Sequence, residues 1–470
     1  MLRSIRIGHI KSFSEPQTLA LSEANGKLGS GYNVLVGANN SGKSTIVSLV
    51  RQLLAPDAML TIGREMRREP EKPVIEAVWI HPNGDIAEVG IDTSAQGGIF
   101  RKTGNHNGLH GCFRFVPSRR PFASDYQVGG MSPSDYEYAE LLGRLGSAAY
   151  FDGQLATAVA RVFLDGLDKG LFLAELMEVD PSSVDFTTDN VGGRNVMLYV
   201  GPSKRPHAIS ETGDGVTNLI RIIYALATSR PGDCIVVDEP ELSLHPQLQR
   251  NLYRLLLRYS DTRQLLVVTH SPHFVGWPEI SGPSKLFRAF IDSVGNTQVA
   301  SPASASFNAV NAHSNVMSRK YYDSVCKELF FSSRAVLLEG AEDAHYIENF
   351  LEATEQPPLP IMGYGCGGAS VIRPWMRLCV DLGIKCAAIF DGDKKSEYEA
   401  AVNEFADKAD YARPFFLIKD DIRDKYERNL SGGETNKVIK EGVFRRDGVI
   451  HLPCRDAFQI FIDEVRKYLD

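Results

Sequence analysis

The sequence predicts an α/β protein in two unequal parts, and three runs of residues carry that prediction. Gly37-Ala38-Asn39-Asn40-Ser41-Gly42-Lys43-Ser44 reads GxxxxGK[ST] and directly follows the apolar β-type run Tyr32 to Val36. Ser44 to Leu54 supplies a helix behind it, giving the strand–loop–helix context that a phosphate-binding loop requires. Far downstream, Glu339-Gly340 with Asp343, and then Asp391-Gly392-Asp393, each follow a further apolar run, as carboxylates at strand ends do.

Composition sets the limits. A chain of 470 residues is long enough for two or three domains with their own cores. Its 43% hydrophobic and 23% charged content is that of an ordinary globular protein. A net charge of -7 argues against a uniformly basic surface but leaves room for local basic grooves. The seven cysteines show no CxxC pairing, which points to reduced thiols rather than a zinc ribbon or a disulfide framework. The N-terminus alternates like a strand, and no signal peptide or membrane span is visible, so a cytoplasmic protein is expected.

Taken in order, Ile5 to Ile10 and Tyr32 to Val36 read as strands. Pro73 to Ile80 and Ile86 to Ile91 read as an antiparallel pair. Thr93 to Gly111 is rich in Gly and Asn and reads as a loop, and Cys112 to Val116 as a strand. Ser134 to Phe163 carries apolar residues at helical spacing, and a helical lobe is expected to continue past Leu171 to Met177. Strands at Cys234 to Val237, Gln264 to Val268 and Leu286 to Ile291 follow, with helices at Thr217 to Ala227 and Leu248 to Tyr259. Ser318 to Phe330 reads as a linking helix. The last part has strands at Ala335 to Leu338, Ala387 to Phe390 and Phe415 to Ile418, with a helix over Ser370 to Leu382. The expected division is 1–318 for a nucleotide-binding domain, with a lobe or dimerisation insert at about 130–205, then 319–333 as linker and 334–470 as the smaller domain.

The loop's backbone N–H groups and the helix dipole suit phosphates, with Lys43 reaching the β- and γ-phosphates and Ser44 holding Mg²⁺. Gly37, Asn39, Asn40, Ser41, Gly42, Lys43, Ser44 and Thr45 are the candidate nucleotide-binding residues. Cys234-Ile-Val-Val-Asp238-Glu239-Pro240-Glu241 places Asp238 at a strand end to bind the metal through water, and Glu239 next to it to polarise the attacking water. Leu265-Leu-Val-Val-Thr-His270 ends another strand on a polar His. This order of parts resembles the ABC-type ATPases, a resemblance that implies a γ-phosphate contact for His270. It also implies a signature motif that completes the site of a second copy. Ile209-Ser-Glu-Thr-Gly213-Asp214-Gly215-Val216 is the better placed candidate, one helix upstream of Asp238. Leu430-Ser431-Gly432-Gly433-Glu434 is the closer string but lies beyond the acidic clusters and reads as a turn. The choice implies that two chains sandwich two ATP molecules, giving a homodimer or a higher even oligomer.

In the second part, a DxD at a strand end brings Asp391 and Asp393 close enough to share divalent ions, with Glu339 completing the cluster. Hard oxygen ligands suit Mg²⁺, with Mn²⁺ as the alternative. Strand-Glu-Gly-x-x-Asp, the Gly-rich turn Gly363 to Gly368 and strand-Asp-x-Asp together resemble a TOPRIM domain. An ABC-type head followed by a TOPRIM domain resembles the OLD (overcoming lysogenisation defect) nucleases. That resemblance implies metal positions at Glu339, Asp343, Asp391 and Asp393, and a role in phage or foreign-DNA defence with partners from the same operon. The chain departs from the family's Asp-Ile-Glu-like motif, because Asp421-Ile422-Arg423 puts Arg where Glu is expected. Asp421 or Asp424 could substitute, or Asp420 and Asp421 could start a charged helix. Lys394 and Lys395 suit either a phosphate or solvent. Mixed signs at Arg64 to Lys72 read as a solvated face. Ser118-Arg119-Arg120-Pro121 reads equally as a partner-facing element or a surface turn.

The expected function is an ATP-regulated, divalent-metal-dependent endonuclease acting on nucleic acid, DNA ahead of RNA. The alternative is an ATP-switched scaffold that holds a partner effector through a non-catalytic acidic domain. A DNA-repair ATPase of the RecF or SMC kind ranks below both, since no long heptad arm is present.

Overall fold

In the computed structural model the chain forms two compact units, Met1–Val299 and Ala300–Asp470. The structure describes residues 1–54, 59–61, 71–81, 84–93, 99–104, 112–118, 125–126, 169–183, 185–191, 194–201, 205–208, 212–276, 283–312, 324–428 and 434–470. Most of the expected helical lobe, most of the Arg64 to Lys72 run, Arg119-Arg120 and Leu430 to Gly433 lie outside those residues.

The first unit is built on a six-stranded sheet of order β16-β15-β3-β14-β13-β8. Its strands are β3 (Tyr32–Val36), β8 (Phe113–Val116), β13 (Cys234–Asp238), β14 (Gln264–Val268), β15 (Lys285–Ile291) and β16 (Thr297–Ala300). The pairings β15–β3, β3–β14, β14–β13 and β13–β8 are all parallel. Every residue of β3 and β14 is buried, which explains why both, Asn33 and Gln264 apart, read as apolar runs rather than alternating ones. Helices α1 (Lys43–Leu54), α2 (Lys169–Val179), α3 (Asp214–Ala227) and α4 (Pro246–Tyr259) belong to this unit. The start of α4 is fixed by His245, whose Nδ1 accepts from Gln247 N at 3.2 Å, and by Pro246 in the first turn.

A second sheet runs β2-β1-β5-β6-β7-β4, from β1 (Leu2–Gly8), β2 (Gln17–Ala20), β4 (Met59–Thr61), β5 (Val74–Ile80), β6 (Ile86–Ile91) and β7 (Ile99–Gly104). Its pairings are antiparallel. One apolar cluster joins both sheets to α1, taking Leu2, Ile5 and Trp79 from one sheet, Leu35 and Leu266 from the other, and Ile46, Leu49 and Leu53 from the helix. The loop expected over Thr93 to Gly111 thus holds a strand at Ile99–Gly104. The region up to 205 is not helical throughout. β10 (Asp185–Val191), β11 (Arg194–Val200) and β12 (Pro206–Ala208) form a third sheet, with β9 (Asp125–Tyr126) also paired to β11.

The second unit opens with α5 (Ser304–Ala312), upstream of the boundary expected near 318. Its centre is a parallel sheet of β17 (Arg334–Leu337), β18 (Lys385–Phe390) and β19 (Ala412–Phe416), with β18 in the middle. The outer side of β17 is occupied, since Val336 N donates to Pro360 O at 2.7 Å and Met362 N to Val336 O at 2.9 Å. Helices α6 (Ala341–Ala353), α7 (Ala369–Asp381), α8 (Lys395–Glu404) and α9 (Arg455–Leu469) accompany the sheet. Val336, Ile347, Phe350, Ile389, Phe415, Phe458 and Ile462 share one core cluster. Beyond β19 the chain adds a two-stranded antiparallel ribbon, β20 (Lys425–Arg428) with β21 (Glu434–Lys440). All seven cysteines are free thiols. No helix among the described residues is long and apolar enough to cross a membrane.

Candidate nucleotide and metal sites

Because β3, β14 and β13 are parallel neighbours, the residues that follow them emerge at one edge of the sheet. There the loop after β3 turns through positive φ at Gly37 (142°), Asn40 (61°) and Gly42 (99°). A Cβ on Gly37 would lie 2.1 Å from Ala289 O, so the close approach of β15 itself demands glycine. Lys43 is buried and curls back, its Nζ donating to Gly37 O at 2.9 Å and Ala38 O at 2.8 Å. Burial pulls its ammonium down to about 8, against the opposing carboxylates of Glu239, Asp238 and Glu241. Asn39, Asn40 and Ser44 are exposed, whereas Ser41 and Thr45 are buried.

Asp238 ends β13, and Glu239 follows in a left-handed conformation, φ 49°, with its N–H on Val268 O at 2.8 Å. Such backbone is uncommon for a non-glycine residue and gathers at functional sites. His270 Nε2 stands 3.9 Å from Glu239 Oε1, and its imidazole pKa is lowered by burial and then by Lys43. One residue escaped the sequence reading. Glu241 accepts from Thr269 Oγ1 at 2.7 Å and from His270 N at 2.6 Å, tying the turn after β13 to the end of β14. Burial raises its pKa despite those bonds. The only signal was a second Glu just past Asp238-Glu239. Gly213 caps α3, and a Cβ on Gly215 would come within 2.6 Å of Ser243 O. Asn218 Nδ2 donates to Leu242 O at 2.6 Å, so the Gly213–Gly215 turn sits against the segment that leaves Glu239.

In the second unit the parallel pair β17–β18 sends Glu339 and Asp391 out at the same edge, where Asp391 N donates to Glu339 Oε1 at 3.3 Å. The glycine-rich loop closes on the same strand end, Gly367 N and Gly368 N reaching Glu339 O at 2.9 and 2.8 Å. Asp343, in the first turn of α6, accepts from Gly340 N at 2.9 Å. Burial pushes the Asp391 carboxyl up to about 8, reinforced by Asp343, Glu339, Asp421 and Asp393. Glu339 is pushed up to about 7, by burial and then Asp343 and Asp393, and Asp343 up to about 6, by burial and then Asp421 and Glu342. Asp393 behaves differently. Burial alone would raise it, but ion pairs with Lys394 at 2.8 Å and Lys440 at 2.7 Å hold it below the ordinary carboxylate value.

The sequence left Asp421 and Asp424 as alternatives, and the structure separates them. Asp421 is buried and acts electrostatically on both Asp343 and Asp391. Asp424 is turned to Gly442 N at 2.9 Å and His451 Nε2 at 3.0 Å. No helix starts at this point, because the chain runs into β20. Arg423 is held by Glu342 at 3.0 Å and Glu434 at 3.1 Å. Of the two lysines after the DxD, Lys394 pairs with Asp393 and Lys395 with Glu399 at 3.7 Å.

No three acidic, His or Cys side chains among the described residues are gathered tightly enough round one point to hold a metal ion. The donor chemistry nevertheless fits a divalent cation. Glu339, Asp343 and Asp391 are partly or fully buried carboxylates whose pKa values are raised by burial and by neighbouring carboxylates, the repulsion a bound dication relieves. The glycine loop that supports them is tightly specified. Gly365 has φ 85°, and a Cβ there would meet Gly340 Cα at 2.7 Å. Gly365→Ala is therefore expected to destabilise this unit by about 1–3 kcal/mol, read as a drop in Tm.

Comparison with known proteins agrees with this division. Residues 145–276 match the family described as "AAA domain, putative AbiEii toxin, Type IV TA system". Residues 330–393 match "Overcoming lysogenization defect protein-like, TOPRIM domain". The chain is 29% identical over 191 residues to the OLD nuclease of Thermus scotoductus, covering 39% of this chain and 36% of that protein. It is 27% identical over 210 residues to endonuclease GajA of Bacillus cereus, covering 43% and 34% respectively. The chain thus spans about a third of the length of these curated relatives. Among solved structures, an SMC head domain from Thermotoga maritima aligns at TM-score 0.37 and 15% identity, over 64% of this chain and 99% of that one. A Pyrococcus furiosus Smc head aligns at 0.41 and 11%, over 66% and 98%. Scores this low carry no weight beside the topology described above.

The fold and motifs define a P-loop ATPase unit joined to a C-terminal TOPRIM unit. Within that class, residues 330–393 are similar to the TOPRIM domain of overcoming lysogenization defect (OLD)-like proteins, the type to which the Thermus scotoductus relative's name also points.

Proposed function

We propose that the chain is an ATP-regulated endonuclease that cleaves nucleic-acid phosphodiesters with a divalent cation. The observation that carries this reading is the meeting of Glu339 and Asp391 at one sheet edge, with Asp343 and Asp421 in the same electrostatic neighbourhood. A divalent cation bound by Glu339, Asp343, Asp391 and Asp393, with Mg²⁺ ahead of Mn²⁺, would supply Lewis-acid stabilisation of the attacked phosphate. Gly367 and Gly368 fix the strand end that carries Glu339, and Asp391 N–H orients the Glu339 carboxylate. Lys394 and Lys440, held on Asp393, are placed to meet phosphate oxygens as a strand enters. The test is incubation of plasmid DNA and structured RNA with Mg²⁺ or Mn²⁺, with and without ATP. Cation-dependent cutting is the expected result, and cutting that persists in EDTA would overturn the metal reading.

In the ATPase unit, Lys43 and Ser44 bind the phosphates and their Mg²⁺, and Asp238 supports that ion. Glu239 is the base, and His270 senses the γ-phosphate. The open N-terminus of α3 at Gly213, Asp214 and Gly215 offers N–H groups to the nucleotide of a second copy, which favours a dimer or a higher even oligomer. Glu239→Gln is expected to bind ATP normally and to slow turnover by about 10²-fold or more, in the range of lost general-base catalysis. Steady-state phosphate release checks this, and an unchanged rate would remove Glu239 from the role. The setting we propose is cytoplasmic defence against phage or foreign DNA, alongside a partner protein or nucleic acid. A scaffold reading draws support from Arg423, which stands where the family pattern expects a carboxylate and is engaged by Glu342 and Glu434.

A further inference from the structure

Between β17, the Leu359 to Tyr364 segment and the first turns of α6, whose Ala341 follows Glu339 by two residues, lies a cavity of about 550 Å³ to which neither reaction assigns a ligand. Ala341, His345 and Glu348 of α6 form one wall, and Glu328 and Tyr364 contribute others. Tyr364 is 58% exposed, yet its backbone is firmly held. Gly363, Gly365, Gly367 and Gly368 around it all take positive φ. Gly365 rests on Gly340, while Gly367 and Gly368 grip the Glu339 carbonyl. The backbone that carries this exposed aromatic ring is thereby held against the stretch of chain that carries Glu339.

The charges of the lining select the kind of ligand. Glu328 and Glu348 are acidic, and Arg334, which also lines the cavity, is committed to Asp470. Phosphate is disfavoured there, whereas a neutral heterocycle with amino and ring N–H donors finds carboxylate acceptors. The volume lies within the range that encloses small organic ligands, about 300–1,000 Å³. Every nucleobase offers a π-face, and stacking on an aromatic side chain is tolerant of base identity.

The geometry points to a base-binding site: a nucleobase next to the scissile phosphate leaves its stack and lies on the Tyr364 ring, within this cavity. The inference rests on the nuclease reading and gives it a substrate class, single-stranded or frayed nucleic acid, because a paired base is not free to enter.

The test uses the full chain and a single-stranded oligonucleotide carrying 2-aminopurine, with Ca²⁺ replacing Mg²⁺ so that binding is read apart from cleavage. The wild type should bind the strand and quench the 2-aminopurine emission. Tyr364→Ala should bind about 5- to 150-fold more weakly, the range for one lost stacking contact, and lose the quench. Tyr364→Phe, which keeps the ring, should behave as wild type. Equal affinity and quench in Tyr364→Ala would overturn the proposal. So would free 2-aminopurine riboside binding as tightly as the strand, since the occupant would then be a free nucleoside. In Mg²⁺ the loss should appear as a raised KM. Cleavage by Tyr364→Ala at an unchanged KM sinks the base site and leaves the nuclease reading intact. Tyr364-dependent binding without any cleavage by the wild type does the reverse.

Discussion

Asp391→Ala is expected to abolish metal-dependent cleavage while leaving ATP turnover essentially unchanged. Asp391 holds the centre of the acidic cluster: its N–H reaches Glu339, and four neighbouring carboxylates act on its side chain. Removing it takes away a hard oxygen ligand and opens the remaining set. Losing roughly 4 kcal/mol of charge stabilisation in the transition state corresponds to about a thousandfold in rate. The side chain is partly buried and, without a cation, its surroundings disfavour its charged form. The alanine variant should therefore fold, and circular dichroism with ATP turnover checks that it does. The same variant separates the two functional readings. A scaffold keeps its biological effect without this carboxylate, and a nuclease does not, so a protection assay with the variant decides between them. Full cleavage by Asp391→Ala would overturn the metal assignment.

Lys43→Ala is expected to abolish ATP binding and, with it, every ATP-dependent change in cleavage. The ammonium is already gathered into the loop by Gly37 O and Ala38 O, and burial has lowered its pKa to about 8. Transfer of that group onto a polyphosphate exchanges two contacts with neutral carbonyls for contacts with anionic oxygens, in which donor and acceptor carry opposite charge. Titration with a fluorescent ATP analogue checks the prediction, and wild-type affinity in the variant would remove the loop from nucleotide binding. Comparing cleavage by Lys43→Ala and wild type also gives the direction of ATP control: faster cutting means that ATP restrains the nuclease, and slower cutting that it licenses it.

The readable parts of the chain were those in which local pattern and tertiary role coincide. Tyr32 to Val36, Gln264 to Val268 and Cys386 to Phe390 are, Asn33 and Gln264 apart, apolar because both faces of their sheets are covered, and each leads to a residue with a candidate role at the edge. Asp185-Phe-Thr-Thr-Asp-Asn-Val191 gave no such signal, since a polar strand in an antiparallel ribbon has little apolar face to display. Ile99-Phe-Arg-Lys-Thr-Gly104 was hidden for the same reason, between glycine-rich neighbours. Ser304–Ala312 is made of small residues and resembles a loop until α7 is packed against it. At the sites, residue types and order placed Lys43, Glu239, Glu339 and Asp391, but a one-dimensional string could not say which way Asp421 and Asp424 turn. That depends on where the chain goes after β19, into a ribbon rather than a helix. Glu241 was missed because its partners, Thr269 and His270, sit on another strand.

The small parallel sheet of the second unit has both margins blunted. Along β17 the Pro360 to Met362 segment takes up the free backbone groups of Val336. Along β19, Leu417 N bonds Phe390 O, so in the two-residue repeat Pro414 falls on the far side, where it has no N–H to offer. Exposed sheet margins are templates on which other chains add strands and begin to aggregate. This unit gives such chains little purchase, so crowding it to high local density does not make its small parallel sheet a seed for amyloid-like growth.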